Sequence, residues 1–342
     1  MKFGIFDQND FTGLSTVEQY RRRLDLIELY DRLGFHIYQM SEHHGTPLST
    51  APSPSVFLSA ATQRTKRIRL APLVYLMPLY NPVRLTEEIV MLDLLSGGRF
   101  EFGMGRGASP HELKFLGVDQ EEAGDRYTEA VDIVLQGLRT GSISFKGKYN
   151  DIDNVPISIR PHTEVWRKLW YAAASPQSAV WPAKNGLNLM TGGPISRVSG
   201  VIESFFAERA AANMTDDKLA GINRYIVVAD TDAEAEAIYL RTWTAFYASF
   251  IHLWKTLGGQ PKNAVVPENG ADLLANGIAI AGTAETVRQT IEHQRSIGKM
   301  TFLSANLAFG DMSDEVCRHS ITSFAERVMP AFAKETLAPQ PA

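Results

Sequence analysis

A carboxylate and two imidazoles stand side by side at Ser41-Glu42-His43-His44-Gly45. Histidine exchanges protons near neutral pH, which makes His43, with Glu42 and His44 beside it, a candidate for acid–base work. Glu42 either orients His43 or caps the loop, and spacing alone does not choose. The isolated His36, His162, His252, His293 and His319 read as solvated or hydrogen-bonded side chains. A metal centre is the natural rival, but the first strand ends in Phe6-Asp7-Gln8 and no later strand end supplies a histidine. A site of two histidines and a carboxylate is not completed, so no metal is expected.

Two other segments carry chemistry-bearing patterns. Gly103, Gly105 and Ala108 in Gly103-Met104-Gly105-Arg106-Gly107-Ala108 satisfy the spacing G-x-G-x-x-G/A. That fingerprint also needs a helix opening at once and an acid at the end of the next strand. Here Pro110 intervenes and the next strand ends in Ala173-Ala174-Ser175, so a dinucleotide fold is rejected. The glycines are still expected to let a flat ligand approach the backbone. Ser175-Pro176-Gln177-Ser178 places a capping serine and a first-turn proline at a helix start. Free backbone donors and the helix dipole there suit an anion such as phosphate, although capping alone explains the residues. Arg126, opening the preceding helix, is a candidate neighbouring charge or a member of a surface salt bridge.

The elements that must hold these groups alternate. Strands are expected at Lys2–Phe6, Ile37–Met40, Ile68–Leu76, Arg99–Met104, Leu169–Ala174, Leu187–Thr191, Arg224–Ala229 and Met300–Leu303. Helices are expected at Val17–Leu33, Pro54–Arg64, Pro82–Leu95, Asp125–Leu138, Gln177–Asn185, Arg197–Asn213, Asp232–Leu257, Ala284–Ser296 and Asp314–Ala333. Alternation of this kind requires parallel strands with helical crossovers, and eight units close a barrel. The expected fold is therefore a single α/β domain over residues 1–342, a (β/α)8 TIM barrel. Insertions follow the fourth helix, where Gly141–Pro161 alternates like a hairpin, and precede the eighth strand, where Gly258–Gly282 reads as an irregular lid or surface loop.

Composition narrows the partners. The 342 residues are 44% hydrophobic and 21% charged, with 34 basic and 38 acidic side chains. No basic stripe suited to nucleic acid is present, and no run approaches the ~18 apolar residues of a membrane span. The lone Cys317 cannot form an internal disulfide and no apolar leader follows Met1, so a cytoplasmic protein is expected.

Taken together, the motifs resemble those of the bacterial-luciferase-like flavin monooxygenases. Glu42-His43-His44 matches the family's motif after the second strand. Ile68-Arg69-Leu70-Ala71-Pro72-Leu73-Val74 with Asn81-Pro82-Val83-Arg84 matches its third strand and helix. Leu92–Gly107, LDLLSGGRFEFGMGRG, is the most specific match. The resemblance implies a barrel that binds FMN, with the ring over Leu73 and Val74 near Gly105 and Arg106 and the phosphate at Arg126, Ser175 and Ser178. It also implies a cis peptide between Leu73 and Val74. The implied reaction is oxygenation of a small, apolar organic substrate by O2 and reduced FMN from a separate flavin reductase, with His43 handling the proton, in a homodimer. A reactive cysteine of luciferase corresponds to Gly105 here, so it is not part of a shared mechanism. A deazaflavin-dependent oxidoreductase and a non-catalytic flavin-binding subunit are the alternatives on the same barrel.

Overall fold

The computed structural model describes residues 1–261 and 266–333. Its strands are β1 (Lys2–Asp7), β2 (Ile37–Met40), β3 (Arg69–Pro72), β4 (Tyr75–Leu76), β5 (Phe102–Gly105), β6 (Ser142–Lys146), β7 (Asp151–Pro156), β8 (Leu169–Ala172), β9 (Asn188–Thr191), β10 (Ala220–Val228), β11 (Ala279–Gly282) and β12 (Phe302–Asn306). Parallel pairing runs β3-β2-β1-β12-β10-β9-β8-β5. A parallel bridge between Leu70 and Phe100 closes the circle, with Leu70 N–H donating to the Arg99 carbonyl at 3.2 Å and Glu101 N–H to the Leu70 carbonyl at 3.0 Å. Eight strands with helices between them form the expected (β/α)8 barrel.

The helices begin and end where the sequence says they must. Helix α1 (Thr16–Leu33) starts in a Ser15–Glu18 capping box and stops at Gly34, which takes a left-handed φ of 84°. Helices α2 (Pro54–Arg64) and α3 (Pro82–Leu95) both open on proline, and Asn81 caps α3 by accepting from Val83 and Arg84 N–H. Phe302 fills the lower barrel interior. Its ring lies where a side chain on Gly4 or Gly221 would have to be, and it contacts Trp170 at 5.0 Å between centroids. Trp170 in turn donates from Nε1 to Glu101 at 2.6 Å, and Glu101 also pairs with Arg69.

Four expectations change. The third strand is not continuous: β3 ends at Pro72, the Leu73–Val74 peptide is cis as the resemblance implies, and β4 resumes against Met104 and Gly105 of β5. The helix expected over Asp232–Leu257 breaks at Ile251 into two, Asp232–Phe250 and His252–Leu257. The last helix is regular only over Asp314–Ser323. It then widens into a π turn, Phe324–Val328, and a 3-10 turn, Met329–Phe332, because Pro330 has no N–H to donate and crowds the preceding turn. The Gly258–Gly282 insertion is not wholly irregular. It contains a short helix, Gly270–Ala275, and β11, which pairs with Tyr225–Val228 of β10. The other insertion is the expected hairpin, β6 with β7. No described helix is long and apolar enough to cross a membrane.

Candidate active site

Parallel strands deliver their C-terminal ends to one rim, and the loop after β2 carries Glu42, His43 and His44 there. Glu42 is buried. One of its oxygens accepts from Leu76 N–H at 2.9 Å and the other lies 2.8 Å from His44 Nε2. Glu42 therefore holds His44, not His43, and ties the β2 loop to β4. Its negative charge, with burial as the larger cause, pushes the nearby Tyr80 hydroxyl far above the ordinary phenol range.

The partner of His43 is Glu112, a residue the sequence did not single out. His43 Nδ1 lies 3.2 and 3.3 Å from the two Glu112 oxygens, and Glu112 Oε2 also accepts from His44 N–H at 3.0 Å. Glu112 sits on a short helix, Pro110–Phe115, that follows β5. A signal was present but ambiguous: Ser109-Pro110-His111-Glu112 has the form of a capping box, in which the glutamate turns back on its own helix start. Ser109 does accept from Glu112 N–H at 3.4 Å, but the carboxylate reaches across to His43 instead. The next residue back, His111, contacts the insertion, with Nε2 3.0 Å from the Gly258 carbonyl oxygen and its ring edge-on to Trp254.

The glycines of β5 make room for the chain's own side chains. Gly103 and Gly105 point to one face, as residues two apart on a strand do. A methyl on Gly103 would sit 2.8 Å from Val74 Cγ1 and 2.9 Å from Leu73 Cδ1. On Gly105 it would collide with Val74 Cγ2. The two methyls of one valine thus occupy the space that two side chains would fill. The close approach foreseen for a flat ligand is made by the protein's own Leu73 and Val74. A cysteine at Gly105 has no room in this packing.

Beyond Val74 the rim is lined by small residues. Ala172 and Ala174 at the end of β8 are exposed, and nothing lies within 4 Å of where a Cβ on Gly192 would stand. Ser175 and Ser178 form a reciprocal cap on the helix Pro176–Lys184. Ser178 N–H donates to Ser175 Oγ at 3.2 Å, and Ser178 Oγ accepts from Ala174 and Ser175 N–H at 3.1 and 3.0 Å. Arg126 is not free: it donates twice to Glu122, at 3.0 and 2.9 Å, and its guanidinium lies 4.2 Å from the Tyr149 ring centre. Arg106, exposed at the end of β5, has no ion pair or hydrogen bond among the described residues. Behind β1, Asp7 and Asp10 share the buried Arg23, and burial pushes the Asp10 carboxyl up to about 7. Among the described residues no group of three or more His, Cys, Asp or Glu side chains is placed to hold a metal ion.

Residues 1–299 match the family of luciferase-like monooxygenases. The chain belongs to that family. It is 29% identical over 329 residues to limonene 1,2-monooxygenase of Rhodococcus erythropolis, covering 90% of this chain and 80% of that one. It is 24% identical over 354 residues to the oxygenase component of the flavin-dependent trigonelline monooxygenase of Acinetobacter baylyi, covering 98% and 96%. In fold it is similar to the oxygenating constituent of 3,6-diketocamphane monooxygenase of Pseudomonas putida, solved with FMN, at a TM-score of 0.81 and 20% identity over 96% of this chain and 98% of that one. The luciferase-like chain described here is accordingly a flavin-dependent monooxygenase.

Proposed function

We propose that this chain is the oxygenase of a two-component system, binding reduced FMN from a separate reductase and oxygenating a small, largely apolar organic substrate. The observation that carries this reading is the His43–Glu112 pair at a rim that also holds the Leu73–Val74 bulge and small, open positions at Ala172, Ala174 and Gly192. Such a rim fits a broad planar ring laid over Leu73 and Val74 beside Gly105. The start of the Pro176–Lys184 helix, where Ser175 and Ser178 cap the first turn, supports a phosphate site there. Arg126 contributes to the phosphate once it parts from Glu122, and Arg106, without an ion pair or hydrogen bond among the described residues, stands by the ring beside Gly105. When bound, reduced FMN supplies the electrons that activate O2. The chain's own part is to orient the ring, exclude water and move the proton, which falls to His43, with Glu42 and His44 holding the loop.

We propose further that the chain pairs with a second copy of itself. Val56, Met91, Leu94 and Leu95 expose apolar surface on the outer faces of α2 and α3, in keeping with a self-associating chain. Light scattering on the purified chain reads the stoichiometry directly.

The deciding experiment titrates the chain with FMN, riboflavin and a deazaflavin, and then supplies reduced FMN, O2 and a panel of apolar substrates. FMN bound in preference to the other two, with oxygenated product formed by this chain alone, is the expected outcome. Preference for the deazaflavin, or product only when a second subunit is added, refutes it.

A further inference from the structure

The two adjacent histidines each have a carboxylate of their own, and each carboxylate is anchored by a backbone donor. Glu112 Oε2 accepts from His44 N–H at 3.0 Å, and Glu42 Oε2 accepts from Leu76 N–H at 2.9 Å. A backbone N–H can only donate, so the oxygen it meets is an acceptor. An ionised carboxylate can only accept. The ring nitrogen facing it must then be the one that carries hydrogen. For His43 that nitrogen is Nδ1, 3.2 and 3.3 Å from the Glu112 oxygens; for His44 it is Nε2, 2.8 Å from Glu42.

We infer that Glu112 is a positioning residue that fixes His43 as the Nδ1–H tautomer, leaving Nε2 as the nitrogen that exchanges a proton at the rim, while Glu42 fixes the neighbouring His44 in the opposite tautomer. The His43 side chain is 26% exposed and Glu112 only 5%, so the carboxylate lies behind the ring on the protein side. Its charge stands ready to stabilise the imidazolium formed when Nε2 takes up a proton, an arrangement in which the acid orients the base without itself reacting. Two carboxylates delivered from different segments thus give two adjacent imidazoles different working nitrogens. The catalytic meaning of this assignment rests on the oxygenase reading above; the tautomers do not.

The test is 15N-edited NMR of the histidine side chains in the full chain without flavin, at a pH where the rings are neutral. His43→Gln and His44→Gln assign the two signals. The wild-type protein is expected to show Nδ1–H for His43 and Nε2–H for His44. Glu112→Gln should shift the His43 tautomer ratio roughly tenfold or more, as expected for loss of a charge-assisted hydrogen bond, and leave His44 as Nε2–H. In the same variant kcat should fall at least about tenfold while the FMN dissociation constant stays within about threefold. An Nε2–H signal from His43 in the wild-type protein overturns the assignment without recourse to any variant. An unchanged His43 tautomer in Glu112→Gln, or full turnover despite a changed one, overturns the positioning role. Tautomers as expected in a chain that binds no FMN refute the oxygenase reading and leave the role of Glu112 supported.

Discussion

Gly105→Ala isolates a single contact. The only group within 3 Å of the added methyl is Val74 Cγ2; the next neighbours are Val74 Cβ at 3.3 Å and the Tyr75 carbonyl oxygen at 3.8 Å. Carbon atoms are at their optimum separation near 3.5–4.0 Å, so one of the two groups must move by about an ångström. Val74 is β-branched and stiff at χ1, so it yields only by leaving its preferred rotamer. Overpacking of this kind costs about 1–3 kcal/mol. Val74→Ala removes both methyls at a cost of roughly 1 kcal/mol, less than full burial implies because Val74 is only half-buried. In the double variant the collision is gone and Gly105→Ala should cost less than about 0.5 kcal/mol more. The coupling energy is then about 1–2 kcal/mol, well outside the additivity of independent sites. Gly103→Ala provides the contrast. Its methyl also meets Leu73 Cδ1 at 2.9 Å and the Trp170 carbonyl oxygen at 3.3 Å, so Val74→Ala should relieve only part of its cost. Urea unfolding followed by circular dichroism and tryptophan fluorescence, with coincident transitions, gives the four free energies of each cycle. Additive costs at Gly105 and Val74, or equal relief at both glycines, would refute the reasoning.

Three further outcomes follow from the site and its surroundings. FMN should bind more tightly than riboflavin, and Arg126→Ala should weaken FMN roughly ten- to a hundredfold by calorimetry while leaving riboflavin almost unchanged; equal losses for both ligands would place Arg126 away from the phosphate. His43→Ala should keep FMN binding within a few-fold while product formation falls by about 10²–10⁴ and oxygen consumption uncouples into hydrogen peroxide; full coupled turnover would exclude His43 from the proton step. Burial, helped by Lys2 and Arg69, pushes the His36 imidazole down to about 3 from an unfolded value of 6.5. The unfolded chain therefore binds the extra proton, stability is lost as pH falls from 6.5 towards 3, and His36→Gln should flatten that limb by up to about 1.4 kcal/mol per pH unit in urea midpoints measured across the window.

What the sequence made legible was what local chemistry marks. Pro54 and Pro82 at first helical positions, and Gly34 at the end of α1, punctuate the chain where the structure does. Strand β2 is found at its expected bounds because Ile37–Met40 is a short apolar run with turn formers close by on both sides. The broken third strand carried no such mark. Ile68–Leu76 is almost uniformly apolar, and the cis bond was foreseen only through a family resemblance. β11 was missed for the opposite reason: four residues in a glycine-rich stretch become a strand only because β10 is long enough to offer Tyr225–Val228 beyond the reach of β9. In the site, Glu42, His43 and His44 were found because they are contiguous. Glu112 lies 69 residues from His43, and its own local pattern pointed to helix capping. Glycine spacing at Gly103 and Gly105 suggested a ligand because sequence cannot say whose atoms fill the space above a glycine.

The candidate site is held together less by its strands than by two carboxylates that cross between strand ends. Glu42 joins the β2 loop to the backbone of β4 at Leu76, and Glu112 joins the same loop, at His44 N–H, to the helix that follows β5. β4 is in turn paired to β5 through Tyr75–Met104 and Leu76–Gly105. The β2 loop, β4 and the β5 loop therefore form one closed circuit in which each link is a hydrogen bond to a backbone group. A carboxylate that leaves its histidine here must also give up, or twist, its bond to a main-chain donor, and a buried donor left unpaired costs about 1–3 kcal/mol. The geometry of both histidines is thereby set before any ligand arrives, which is the condition under which a side chain can act on a reacting group without first paying to find its orientation.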